Sequence, residues 1–184
     1  GGTSTGLINV SDTNGSAFST FDTVNGRVGI GTTAPVVKLH MAIDDSATTT
    51  LTEMLRLEHT STGTTGVAFG TRIRLDGENS DGTLAQMGAI DTEWSAVGAN
   101  PYGAMRFYVN EDGTLSEGIR LVSDSAGRHL RGVSNGTAAV PFLSWTTDTN
   151  MGIFRAAADT LGFATAGTEA LRIDSSGRVG IGAT

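Results

Sequence analysis

The chain has 184 residues, 26 of them Gly and 3 Pro, with 17% charged and 6% aromatic side chains and a formal net charge of −7. That acidic balance argues against a surface built to neutralise nucleic-acid phosphates. The absence of Cys excludes disulfides, thiolate metal sites and a cysteine nucleophile, and no apolar run reaches the ~18 residues of a membrane-inserting helix.

Leu, Ile, Val and Phe number 41, just above the roughly one-fifth of a chain below which a packed core fails. Each residue has little apolar surface to bury, which favours thin structure and association with further copies. Tracts of Thr, Ser, Gly and Asn with few helix formers predict strands and turns. The expected class is all-β, built of short strands and hairpins, with little or no α-helix. Two stretches of near-helical length, Ser46 to His59 and Arg155 to Gly162, read as non-helical: the first contains a Thr run and the second is short. Lys38 is the one lysine, and the other eleven basic residues are Arg, whose planar fork suits ordered ion pairs.

The first segment, 1–35, opens on Gly1-Gly2-Thr3-Ser4-Thr5-Gly6, with neither an initiator Met nor a signal-like apolar stretch. Together with an end inside a repeated motif, this leads to the expectation of a piece of a longer polypeptide. Asn25-Gly26 predicts a turn, followed by "GRVGIGT" from Gly26 to Thr32. In a strand, Val28 and Ile30 take one side, Gly29 and Gly31 the other. The glycine order is G-x-x-G-x-G and Pro35 follows instead of a helix, so neither a dinucleotide fingerprint nor a P-loop fits. The string reads as a packing element whose bare face admits a neighbouring backbone, and no cofactor is expected.

The second segment, 36–134, carries Glu53-Met54-Leu55-Arg56-Leu57 and then Glu117-Gly118-Ile119-Arg120-Leu121. In this Glu-x-[Leu/Ile]-Arg-[Leu/Ile] pattern the aliphatics share one strand face and the Arg takes the other. After the first copy come a loop from Thr60 to Gly66, the run Val67-Ala68-Phe69, and Ile73 and Leu75 alternating with Arg72 and Arg74. Asp76-Gly77 signals a hairpin, and Asp76 to Gly82 lacks the Gly that the sixth position of an EF-hand requires, so an acidic hairpin tip is expected there. Glu93 to Tyr102 reads as a loop bearing Trp94 and Tyr102, two aromatics suited to stacking on a sugar. Met105 to Val109, the turn Asn110-Glu111-Asp112-Gly113 and the second copy predict a hairpin. The Gly-Arg turn Ser125 to Arg128 follows. His40, His59 and His129 have no metal-ligand spacing.

The third segment, 135–184, begins with the apolar Pro141-Phe142-Leu143-Ser144-Trp145, expected in a core. Leu161 to Thr165, the turn Ala166-Gly167-Thr168 and the third copy, Glu169-Ala170-Leu171-Arg172-Ile173, predict another hairpin. The Gly-Arg turn Ser175 to Arg178 then leads into a second glycine element, Val179, Gly180, Ile181 and Gly182. The eight residues of the two glycine elements are the expected assembly contacts.

"GRVGIGTTAPVVKLH" (Gly26 to His40), "MRFYVNEDGTLSEGIRL" (Met105 to Leu121) and "DTNMGIFRAAADTLGFATAGTEALRIDSSGRVGIGAT" (Asp148 to Thr184) together resemble the repetitive shafts of bacteriophage tail fibres and related trimeric fibre proteins. The resemblance covers about half of the chain. It implies an elongated, homotrimeric, intertwined β-fibre, of β-prism or triple-stranded β-helix type, without catalysis. It also implies a place on the virion, outside the cell, in contact with other tail components and with a host-surface receptor, a glycan, for which Trp94 and Tyr102 are the candidate contacts. The chain contains no counterpart of the self-cleaving chaperone domain found in many such fibres, and His129-Leu130-Arg131-Gly132 stands where a third Gly-Ile-Gly element would fall.

Two other readings use the same residues. One is a tailspike-like enzyme that degrades polysaccharide, with acids such as Asp91, Glu93, Glu111 and Asp112 converging in space. The other is a cellular surface adhesin or filament made of the same repeats.

Overall fold

The computed structural model of the chain describes residues 6–11, 13, 17–43, 51–98 and 101–182. Two compact units, Gly1–Glu58 and His59–Thr184, divide it. Among the described residues every regular element is a strand and none is a helix. The all-β expectation is met.

The first unit holds one sheet, β1 (Leu7–Ser11), β2 (Ala17–Asp22), β3 (Arg27–Ile30) and β4 (Leu39–Met41), paired in chain order. All neighbours are antiparallel except β3 and β4, which run parallel through Val28↔Leu39 and Ile30↔Met41. The turn into β3 is made by Asp22, whose carboxylate accepts from the backbone N–H groups of Val24 and Asn25 and from the Asn25 amide. Gly26 and Gly31 take φ of 61° and 71°, a region open to glycine at little cost. The first glycine element is thus a strand, as its alternation predicts. The room beside Gly29 and Gly31 is filled by Thr32 and the Ala42 carbonyl of the same chain.

The second unit holds two five-stranded sheets. The larger comprises β5 (Gly70–Glu78), β6 (Leu84–Ala96), β7 (Tyr102–Glu111), β8 (Thr114–Asp124) and β9 (Gly127–Gly132). The smaller comprises β10 (Leu143–Trp145), β11 (Asp148–Ala157), β12 (Thr160–Thr165), β13 (Thr168–Ile173) and β14 (Val179–Ile181). Both are antiparallel meanders in which every strand pairs with its neighbour in sequence. The turns Asp112-Gly113 and Ala166-Gly167 have positive φ at both positions, the geometry that matches strand twist in a two-residue hairpin.

Several expectations are corrected. The β5–β6 turn does not fall at Asp76-Gly77; the strand runs on to Glu78 and turns at Asn79, whose Oδ1 accepts from the N–H groups of Asp81 and Thr83. The Glu93 to Tyr102 stretch is not all loop: β6 continues to Ala96 and β7 begins at Tyr102, so half of it is strand. The first copy of the Glu-x-[Leu/Ile]-Arg pattern lies outside any strand, and its Arg56 meets the exposed Glu58, at 3.0 Å. Nor is Pro141 to Trp145 core: Pro141 is buried, but Trp145 is 56% exposed on the edge strand β10. The part of Ser46 to His59 before residue 51 lies outside the described residues.

The second and third copies of the pattern share one device. Phe107 pairs with Ile119 but Tyr108 pairs with Glu117, so Gly118 is an extra residue. Ala170 is extra in the same way between Glu169 and Leu171. An unbulged strand sends residues three apart to opposite faces; one inserted residue restores them to the same face. Glu117 and Arg120 therefore meet in a two-pronged pair at 2.5 and 2.8 Å, and Glu169 and Arg172 do so at 2.5 and 2.8 Å.

Candidate functional site

Register and alternation give each sheet two unlike faces. In the five-stranded sheet β5–β9 one row reads Ile73, Ile90, Phe107, Ile119, Gly132, and the adjacent row reads Thr71, Thr92, Met105, Leu121, Leu130. In β10–β14 the rows are Leu143, Ile153, Phe163, Leu171, Ile181 and Arg155, Leu161, Ile173, Val179. The first unit repeats the arrangement with Ile8, Phe21, Val28, Leu39 beside Val10, Ser19, Ile30, Met41. Side chains aligned across strands in this way stabilise one another.

These apolar faces are largely open. Leu121 is 49% exposed, Ile30 46%, Val179 61% and Ile181 78%. One place is covered from within: the Phe142 ring occupies the space a side chain at Gly132 would take, closing the end of the Ile73 row. The core of the second unit lies instead on the opposite faces, where Ala89, Ala104, Val122, Phe154 and Ala164 are buried. The Phe154 ring lies against Gly162, and a side chain there would collide with it.

The second face of β5–β9 is charged. Arg72, Asp91, Arg106, Arg120 and Arg131 stand directly opposite one another across the five strands. Such a row of guanidiniums is unfavourable unless carboxylates interleave, and they do. Arg72 binds Asp91 through two contacts of 2.6 Å and lies 5.2 Å from the Tyr108 ring centroid, a cation–π distance. Arg106 pairs with Glu93 and stands 3.6 Å from Glu117, which holds Arg120. Arg131 reaches Asp124 at 2.5 Å. The Nε of Arg106, shielded from solvent, has no hydrogen-bond partner among the described residues.

Trp94 and Tyr102 both border a cleft of about 400 Å³ on this charged face. Tyr102 shares its alternation with Ala104 and Arg106, so it belongs to the cleft side; Trp94, opposite Gly103, shares its alternation with Ile90 and Thr92 on the apolar side. The two aromatics therefore do not form one stacking platform. The four acids weighed for glycan cleavage also do not converge. Asp91 and Glu93 are tied to arginines, while Glu111 and Asp112 sit at the β7–β8 turn, about 23 Å along β7 from the partner of Glu93.

Sequence reading noticed the Gly-Arg turns but missed the aspartates that build them. Asp124 accepts from Ala126 N–H, His129 Nε2 and Arg131. Asp174 accepts from the N–H groups of Ser176 and Arg178 and from the Arg178 guanidinium. The available signal was an Asp three residues ahead of each Gly: Asp124-Ser-Ala-Gly127 and Asp174-Ser-Ser-Gly177. These bonds favour the ionised form. The Ala126 N–H foremost, then Arg131, brings the Asp124 carboxyl down to about 2. The Asn25 amide lowers Asp22, and the Arg178 N–H lowers Asp174.

Groups depressed on folding stabilise fully above their unfolded pKa, ~3.9 for Asp, and cease to do so as pH falls through the folded value. The urea midpoint should therefore hold from neutrality down to about pH 5, then fall between about pH 4 and 2. Asp124→Asn should flatten that acid limb, since it retains an acceptor for Ala126 and no longer titrates. An unchanged limb would place the acid sensitivity elsewhere.

Compared with known protein families and with characterised proteins, the chain matches none.

Proposed function

We propose that this chain is a structural, non-catalytic segment of a viral tail fibre, homotrimeric and elongated, which serves attachment to a host surface. One observation carries the reading: three successive sheets each present an in-register apolar face that the single chain leaves open. Monomeric soluble proteins rarely leave such surface bare. Among the described residues β1, β4, β5, β9, β10 and β14 are edge strands, with a strand on one side only, a further reason for neighbours. Three copies related by a rotation axis close on themselves, so each apolar face meets another without open-ended growth. The resemblance of the Gly26, Met105 and Asp148 stretches to tail-fibre shafts supplies the trimer and the virion setting. Val28, Ile30, Val179 and Ile181 are then contacts between copies.

The test is sedimentation equilibrium of the chain at several concentrations, with negative-stain images of the same sample. A trimer mass and a thin rod are expected. A stable monomer at all concentrations would overturn the reading.

A further inference from the structure

We propose that the outer edge of β14 binds, in parallel, a separate extended peptide segment with the pattern of residues 36–42, Val-Val-Lys-Leu-His-Met-Ala. The first unit supplies the precedent. The two copies of Gly-Arg-Val-Gly-Ile-Gly, residues 26–31 and 177–182, are built alike. Each follows a turn closed by an aspartate, Asp22 or Asp174. Each pairs antiparallel with the strand before it, through Phe21↔Val28 and Ser19↔Ile30 in one, Ile173↔Val179 and Leu171↔Ile181 in the other. The last glycine closes both in the same way. Gly31 N–H donates to the Phe18 carbonyl at 3.0 Å and Gly182 N–H to the Ala170 carbonyl at 2.9 Å, with φ of 71° and 64°. The same sequence in the same register turns the same donors and acceptors outward.

In the first unit that outward side is taken by β4. The Val28 N–H donates to the Lys38 carbonyl and the Ala42 N–H to the Ile30 carbonyl, each at 2.8 Å. The Ala42 carbonyl fills the room beside Gly31, and Lys38 Nζ donates to the Asn25 carbonyl at 3.0 Å. Among the described residues β14 pairs with β13 alone, and the space beside Gly182 is open. Exposure follows the difference: Ile181 is 78% exposed where Ile30 is 46%. Strand addition draws affinity from main-chain bonds and choice from alternate side chains. On β14 an aliphatic in the place of Met41 joins the Leu171, Ile181 row, and one in the place of Leu39 joins Ile173 and Val179. A lysine in the place of Lys38 reaches the Ser176 carbonyl, the counterpart of that of Asn25. A second copy's own 36–42 stretch is a poor occupant, because only residues 31–38 join β3 to β4. So short a connection keeps that stretch at high effective concentration on its own β3.

The experiment is hydrogen exchange read by mass spectrometry on the full chain at several concentrations, with and without a synthetic peptide of residues 34–43. The peptide is expected to slow exchange in the fragment holding Val179 and Ile181. The fragment holding Val28 and Ile30, already covered by β4, should not change. A peptide carrying Ala42→Pro lacks the N–H for the Ile181 carbonyl and should bind about tenfold more weakly. In the chain, Val179→Pro removes the outward N–H, a change an edge strand tolerates, and should abolish protection at Ile181. No protection by the parent peptide would overturn the proposal. So would equal protection by a scrambled peptide or by the Ala42→Pro peptide, or protection at Ile181 that survives Val179→Pro. Protection at β14 that is present without peptide and lost on dilution would assign the edge to a second copy, and would overturn it too. Sedimentation of the same samples tests the fibre reading separately, since a trimer or a monomer can each bind the peptide or fail to.

Discussion

Glu117→Gln should lower the stability of the chain by about 2–3 kcal/mol, whereas Glu169→Gln, the same change in the same motif, should cost about 1 kcal/mol. The local geometry is the same: each Glu holds its Arg through contacts of 2.5 and 2.8 Å, and the Glu side chains are 12% and 7% exposed. The surroundings differ. Arg120 stands opposite Arg106 on one side and Arg131 on the other, while Arg172 stands opposite Gly162 and Gly180. Removing the Glu117 charge leaves Arg120 unpaired between two like charges; removing the Glu169 charge strands one guanidinium that is 38% exposed and can turn to water. Urea unfolding of the two variants gives the comparison directly. Equal losses would mean that the guanidinium row contributes nothing beyond the single pair.

Leu121→Asp should leave the sheet of a single chain intact and abolish association. Leu121 is 49% exposed, so within one chain an Asp there keeps much of its hydration. Buried against another copy, the same carboxylate would cost several kcal/mol, and the ~1.5–3 kcal/mol from burying Leu would be lost as well. Both terms count once per copy. The expected result is a folded monomer by sedimentation and circular dichroism, with Ser80→Asp at the exposed β5–β6 turn still assembling as the parent does. A Leu121→Asp chain that keeps the parent's mass would remove this face from the interface.

Much of the fold was legible in the residues. Hairpins at Asp112-Gly113 and Ala166-Gly167 were readable because each carries a Gly at the second turn position, where positive φ costs little, and the Val28/Ile30 alternation gave β3 its faces. The bulges were not readable. Gly118 and Ala170 carry no mark distinguishing an extra residue from a paired one, and only the register shows it. The strand position of Trp94 was hidden for a related reason: an aromatic within a Gly- and Pro-bearing stretch looks like a loop, but pairing with β7 carries β6 through to Ala96. The charged row was beyond reach, since Arg72, Arg106, Arg120 and Arg131 are scattered in sequence and meet only once five strands are aligned. For the Pro141 to Trp145 stretch, composition suggested a core, but composition does not say that β10 is an edge.

The meander order has a consequence in time. Each strand of the three sheets pairs with the one just before or after it in the chain, so loop closure is short at every step and the entropic barrier to pairing is low. A sheet can close as soon as its own residues have left the ribosome, without waiting for distant sequence. What one chain then carries into any meeting with another is a finished, one-sided surface rather than an unfolded segment. Under the proposed association the slow step is the encounter, whose rate rises with concentration.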